Sequence, residues 1–227
     1  MLDAIEAHIA AVRAFYRPLL TDNSRLSGSD RLYAGFEQSV AAYRKIGRRQ
    51  VSGLIERVNE LAVAHQLLTD AQLAAAHIVY EPQLIPGPKF DFVLRTPAKP
   101  TLYIEVKTVS PQSANDATSW QKATYRRRMV TPREPGGTSA AQAAFQRYTV
   151  QTQAKLAAHA AIEPGDGLLI FCGDGLTWLP SALTDFIASY RGPLRIGLLI
   201  RRQDEIAPCH PGQPRTLDPG ADPGPSE

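Results

Sequence analysis

A chain of 227 residues with 44% hydrophobic side chains is long enough to close one domain of ordinary size around a real core. A formal net charge of +3 excludes a polycation, so any hold on a phosphodiester has to come from clustered basic residues. No stretch approaches the ~20 apolar residues that span a bilayer, and Met1 to Glu6 has neither a basic n-region nor a long apolar h-region, so a cytoplasmic protein with no membrane partner is expected. Cys172 and Cys209 stand far apart in an apolar run and a Pro-rich tail, which reads as free thiols rather than a disulfide or zinc site.

In chain order, Leu2 to about Leu20 reads as an amphipathic helix, with Ile5, Ile9, Val12 and Tyr16 at helical spacing. Thr21 to Ser29 is polar and reads as a loop, and Asp30 is the expected N-cap of a second helix carrying Leu32, Phe36 and Val40. That helix ends on Arg44, Lys45, Arg48 and Arg49, which suit either a solvated C-terminus, where cations complement the dipole, or phosphate contacts. Ser52 to Leu68 reads as a third helix with a stripe of Leu54, Val58, Leu61, His65 and Leu68. His65 lies within the stripe and is expected to pack rather than to bind a ligand; Glu60 sits at the stripe's edge and Glu56 further out. Ala76 to Leu84 reads as a first strand, with Glu81-Pro82 near its end.

Two apolar runs then flank Thr96-Pro97-Ala98-Lys99-Pro100, the pattern of a hairpin. Symmetry about Ala98 sets Arg95 opposite Thr101, Val93 opposite Tyr103 and Asp91 opposite Glu105. Strand side chains alternate faces, so Phe90, Phe92, Leu94, Leu102, Ile104 and Val106 are expected to face the core, while Asp91, Glu105 and Lys107 share the opposite patch. Directly opposed residues have Cβ atoms about 5 Å apart, and like charges there are destabilising. A cation between Asp91 and Glu105 removes that penalty, and a hard divalent ion such as Mg²⁺ prefers carboxylate oxygen completed by water. Lys107 lies one step along the same face, within reach of a phosphate oxygen.

Pro111 to about Gly137 mixes Trp120, Lys122, Tyr125, Arg126, Arg127, Arg128 and Arg133 with Pro and Gly, a composition that suits a nucleic-acid strand by charge and stacking. Ser139 to Ala161 reads as a long Ala-rich helix bearing Gln142, Gln146, Gln151, Gln153 and Lys155. Gly167 to Cys172 and Leu194 to Ile200 are continuous apolar runs, read as strands buried on both faces, with a helix at Pro180 to Tyr190 between them. From Pro208 the chain is rich in Pro, Gly and Asp and is expected to be disordered.

Asp91, then thirteen residues, then Glu105-Val106-Lys107 on an apolar strand resembles the active-site signature of the PD-(D/E)xK nuclease superfamily. One letter departs: Phe90 precedes the Asp where a Pro often stands, and the prolines are Pro86 and Pro88. The resemblance implies an α/β fold with a restriction-endonuclease-like αβββαβ core, a mixed sheet flanked by helices. On this chain it implies an N-terminal helical extension over residues 1–50, a nuclease-like core over 51–207 with a basic insertion at 111–138, and a tail at 208–227. It implies Mg²⁺, with Mn²⁺ able to substitute, held by Asp91, Glu105 and the Val106 carbonyl, and Lys107 orienting a water or stabilising developing charge. Relatives often supply an acidic residue from the preceding helix, for which Glu60 is the candidate and Glu56 the fallback, and a Gln or Lys from the following helix, here Gln153 or Lys155. The expected partner is nucleic acid, DNA before RNA, gripped by Lys122, Arg126, Arg127, Arg128, Gln153 and Lys155, with a homodimer as one way to cut both strands. A silent binding module of the same fold and a ribonuclease acting on structured RNA are the alternatives.

Overall fold

Apolar spacing sets each helix and the face it buries. The computed structural model describes residues 2–21, 23–46, 51–82, 89–97, 99–108, 137–159, 162–173 and 180–200. The elements run α1 (Leu2–Thr21), β1 (Leu26–Ser27), α2 (Ser29–Ile46), α3 (Val51–Thr69), β2 (His77–Tyr80), β3 (Phe92–Thr96), β4 (Lys99–Thr108), α4 (Gly137–Ala157), β5 (Gly167–Gly173), α5 (Pro180–Ser189) and β6 (Arg195–Ile200). Ile9, Val12, Tyr16 and Leu20 of α1, Leu32, Phe36, Val40 and Tyr43 of α2, and Leu54, Val58 and Leu61 of α3 are buried at helical spacing. His65 packs within this layer, its ring 5.2 Å from that of Phe15.

The strands form one six-stranded mixed sheet in sequential order, β1 to β6. β2–β3 and β3–β4 are antiparallel; β1–β2, β4–β5 and β5–β6 are parallel. One core joins α1, α2 and α3 to the sheet face carrying Phe92, Leu94, Ile104, Val106 and Cys172. On the other face Ala144 and Phe145 of α4 and Leu183 of α5 pack on Leu169, Phe171 and Ile196. β5 is thus covered on both sides, which is why its sequence is continuously apolar. α1 and α2 share one apolar cluster with α3 and the sheet rather than having a core of their own.

Three expectations are corrected. The polar loop before α2 contains β1, which pairs Leu26 with Ile78 and Ser27 with Val79. Asp30 is not the N-cap: α2 begins at Ser29, and the Leu32 N–H donates to the Gly28 carbonyl, so Asp30 lies in the first turn, where its charge favours the helix dipole. Phe90 does not share a face with Phe92. It packs with Leu156 and Leu194, its ring 5.3 Å from that of Tyr103, because the strand pleat starts only at Phe92, after a bend at Asp91.

The hairpin register holds where it matters: Phe92 pairs with Ile104, Val93 with Tyr103 and Leu94 with Leu102. It slips at the turn, where Thr96 pairs with Lys99, and the expected pairing of Arg95 with Thr101 is lost. Pro100 has no N–H to give the ladder, so the irregularity falls beside it and away from Asp91. Gln153, Lys155, Glu60 and Val106 lie on described elements, whereas Lys122, Arg126, Arg127 and Arg128, with Arg48, Arg49, Cys209 and the 208–227 tail, lie outside the described residues. No helix among the described residues is long and apolar enough to cross a membrane.

Gly28 has φ +84°, and a Cβ there would sit 2.9 Å from the Tyr80 carbonyl oxygen. Gly28→Ala is therefore expected to cost roughly 2 kcal/mol, read as a lower urea midpoint; an unchanged midpoint would show that this turn carries no such constraint.

Candidate active site

The bend at Asp91 decides the local geometry. Its carbonyl accepts from the Glu81 N–H at 2.8 Å and its N–H donates to the Ile104 carbonyl at 3.1 Å. Its carboxylate oxygen Oδ2 then accepts from the Val106 N–H at 2.7 Å, taking the place that main chain from β3 would hold. In a strand the N–H and C=O of one residue point to the same neighbour, so the Val106 carbonyl is directed to this edge too. Val106 lines the cleft there.

Among the described residues, Glu56 and Glu60 of α3, Asp91, Val106, Lys107 and Thr108 of β4, and Tyr148 of α4 line a cleft of about 280 Å³. Asn59 ties α3 to β4 by donating to the Thr108 hydroxyl at 2.9 Å. Glu105, only 4% exposed, sits behind Lys107. Its Oε1 accepts from Lys107 Nζ and its Oε2 from Lys155 Nζ, both at 2.5 Å. Lys155 reaches across from α4 with its ammonium 5.1 Å from the centre of the Phe90 ring. Glu60 is turned toward Arg57 and Tyr80, whose guanidinium and hydroxyl both donate to its Oε2 at 2.7 Å. Arg57 lies 3.9 Å from Glu81, which has φ +41°.

The structure thus brings Asp91, Glu105, Lys107, Val106 and Lys155 together and sets Glu60 on the cleft wall. It places Lys155 on the Glu105 carboxylate. Gln153 is elsewhere: its amide donates to the Tyr190 hydroxyl at 2.9 Å, joining α4 to the end of α5. Tyr148, Arg57 and Tyr80 were not singled out from the sequence. Tyr148 stands seven residues before Lys155, two helical turns along one face, and Arg57 stands three before Glu60; these spacings were the available signals. For Tyr80 the signal was weaker, a tyrosine on an apolar strand whose hydroxyl needs a partner when buried.

Among the described residues, the carboxylates Glu56, Glu60, Asp91 and Glu105 outnumber the cations Arg57, Lys107 and Lys155 around them. Asp91 bears the imbalance. Burial, then the charge of Glu105, raise its pKa to about 7, against the Val106 N–H, which favours the anion. Burial and Glu60 likewise raise Glu56. For Lys107, burial works against the ammonium, but the hydrogen bond and charge of Glu105 outweigh it and its pKa is raised. Tyr80 is pushed up by burial and by Glu60, so it stays a hydrogen-bond donor.

Among the described residues no group of three or more His, Cys, Asp or Glu side chains is placed to hold a metal ion. A hard divalent cation needs fewer, one or two carboxylates with water completing the shell. Asp91, with unmet negative charge beside Glu105, fits that requirement. Comparison with protein-family models, curated proteins and solved structures finds no match to the chain.

The Asp91 pKa carries a stability consequence. It lies above the ordinary value of 3.8, so Asp91 contributes stability that is complete below pH ~4 and lost as pH rises through about 7. Asp91→Asn keeps an oxygen for the Val106 N–H and cannot ionise. In chelator, this variant should melt several degrees above the parent chain at pH 8, with the gap closing toward pH 5, and the upper bound is about 4 kcal/mol. A melting difference independent of pH would contradict the assignment.

Proposed function

We propose that the chain is a Mg²⁺-dependent nuclease that hydrolyses phosphodiester bonds in DNA. The observation that carries the reading is the convergence of Asp91 and Glu105 at the β3–β4 edge with Lys107 beside them, the carboxylate of Asp91 forming no ion pair among the described residues. The fold supports it: α3, β2, β3, β4, α4 and β5 follow the αβββαβ order of the resembled superfamily, two antiparallel pairings followed by a parallel one.

Asp91, Glu105 and the Val106 carbonyl would hold the magnesium ion, which when bound supplies Lewis-acid polarisation of a phosphate oxygen. Lys107 keeps its proton beside two carboxylates and faces the cleft, so it donates to a phosphate oxygen or orients the attacking water. Lys155 holds the second oxygen of Glu105 and fixes that carboxylate's direction. Asn59 and Thr108 anchor α3 at the cleft, and Arg57 with Tyr80 fixes the orientation of Glu60 on its wall. The basic stretch Lys122 to Arg133, in the segment that follows β4 in sequence, supplies charge for the nucleic-acid backbone.

Incubation with circular plasmid and Mg²⁺, with EDTA as control, is expected to give nicked or linear product. Asp91→Ala and Lys107→Ala should each lower the rate at least about a hundredfold with an unchanged circular dichroism spectrum. Full activity in either variant would remove the site assignment. DNA binding without cleavage under any divalent cation would indicate the silent module, and cleavage of tRNA alone the ribonuclease. Replacing Arg126, Arg127 and Arg128 together by Ala should weaken DNA binding and flatten its salt dependence; unchanged affinity would make them ordinary surface charge.

A further inference from the structure

Each oxygen of Glu105 already accepts from an ammonium at 2.5 Å, so a cation approaching this carboxylate meets two positive charges beside it. The two lysines are not equivalent. Lys155 comes from α4, is stacked on the Phe90 ring and is not among the described residues that line the cleft. Lys107 lines the cleft beside Asp91 and Tyr148, and its side chain is 28% exposed. A lysine ammonium is a point charge on a flexible stem, so Lys107 can turn from Glu105 to an anion in the cleft without a change in backbone.

We propose that Lys107 is an exchangeable counter-ion, whose transfer from Glu105 to a phosphate in the cleft opens Oε1 to a divalent cation, so that phosphodiester and cation bind cooperatively. This rests on the nuclease reading and adds the order in which its site is assembled. Each ligand alone meets an obstacle. A cation arriving alone faces both ammonium groups across Glu105. A phosphate arriving alone draws Lys107 away and leaves a buried carboxylate with one counter-ion, a costly state. Arriving together, the phosphate takes the ammonium and the cation takes the vacated oxygen. Lys155 stays in place throughout and keeps Glu105 oriented, a positioning role. The consequence for regulation is that the chain without substrate holds its metal poorly, and hydrolytic competence appears only with the phosphodiester in place. Linkage makes the coupling reciprocal: each ligand tightens the other by the same factor.

The test is calorimetric titration of Mg²⁺ into the full chain, with and without a phosphorothioate decathymidylate, whose linkages resist hydrolysis. The oligonucleotide should tighten Mg²⁺ binding by about tenfold, and Mg²⁺ should tighten the oligonucleotide equally. Lys107→Met should bind Mg²⁺ alone more tightly than the parent, with the oligonucleotide adding less than about twofold. Lys155→Met removes the same charge, so it should also tighten Mg²⁺ alone, but should keep the tenfold coupling. Lys107→Gln, with circular dichroism as the check on folding, repeats the comparison should the methionine variant fail to fold. Coupling undiminished without Lys107, or lost equally in both lysine variants, overturns the exchange while leaving the nuclease reading standing. Absence of Mg²⁺ binding in all chains, with or without oligonucleotide, overturns both.

Discussion

A buried carboxylate must find a counter-charge, and the end of this sheet concentrates that problem. Glu105 is nearly sealed from solvent, and an ammonium group pairs with each of its oxygens. Asp91 beside it accepts from one backbone N–H and forms no ion pair among the described residues, and burial, then the charge of Glu105, raise its pKa. The rest of the molecule fixes this asymmetry in place. α4 delivers Lys155, the pleat of β4 puts Glu105 and Lys107 on one face, and the bend before β3 turns Asp91 into the edge of the ladder.

The packing explains why such a site can persist. α1, α2 and α3 bury the even-numbered face of the hairpin in one large cluster, so the strands are held whether or not the other face is satisfied. On that other face two separate apolar clusters flank the polar residues, one around Phe145 and Phe171, the other around Phe90 and Leu156. α4 also carries the buried Thr149 and Thr152, and among the described residues the Thr152 hydroxyl has no hydrogen-bond partner.

Much of this was legible in the sequence because strand periodicity is simple. Residues two apart share a face, so Glu105 and Lys107 could be placed together from spacing alone, and the register from Phe92–Ile104 to Leu94–Leu102 followed from the symmetry of the hairpin. The long helices and apolar strands follow from the same reasoning and fall within a few residues of their expected limits. What escaped was set by tertiary contact. β1 is two residues long and exists only because β2 lies alongside it. Phe90 changed face because hydrogen bonds from Glu81 and to Ile104 bend the chain at Asp91, which no alternation pattern reports. The grip of Lys155 on Glu105, fifty residues away, and of Tyr80 on Glu60 depends on how α4 and α3 cross the sheet.

The account reduces to one shared ion, and Mn²⁺ offers a direct view of it through electron paramagnetic resonance. With the phosphorothioate decathymidylate present, the parent chain is predicted to bind one Mn²⁺, and the combined Asp91→Asn and Glu105→Gln variant none. Mn²⁺ bound with the same stoichiometry and spectrum after both carboxylates are gone would contradict it.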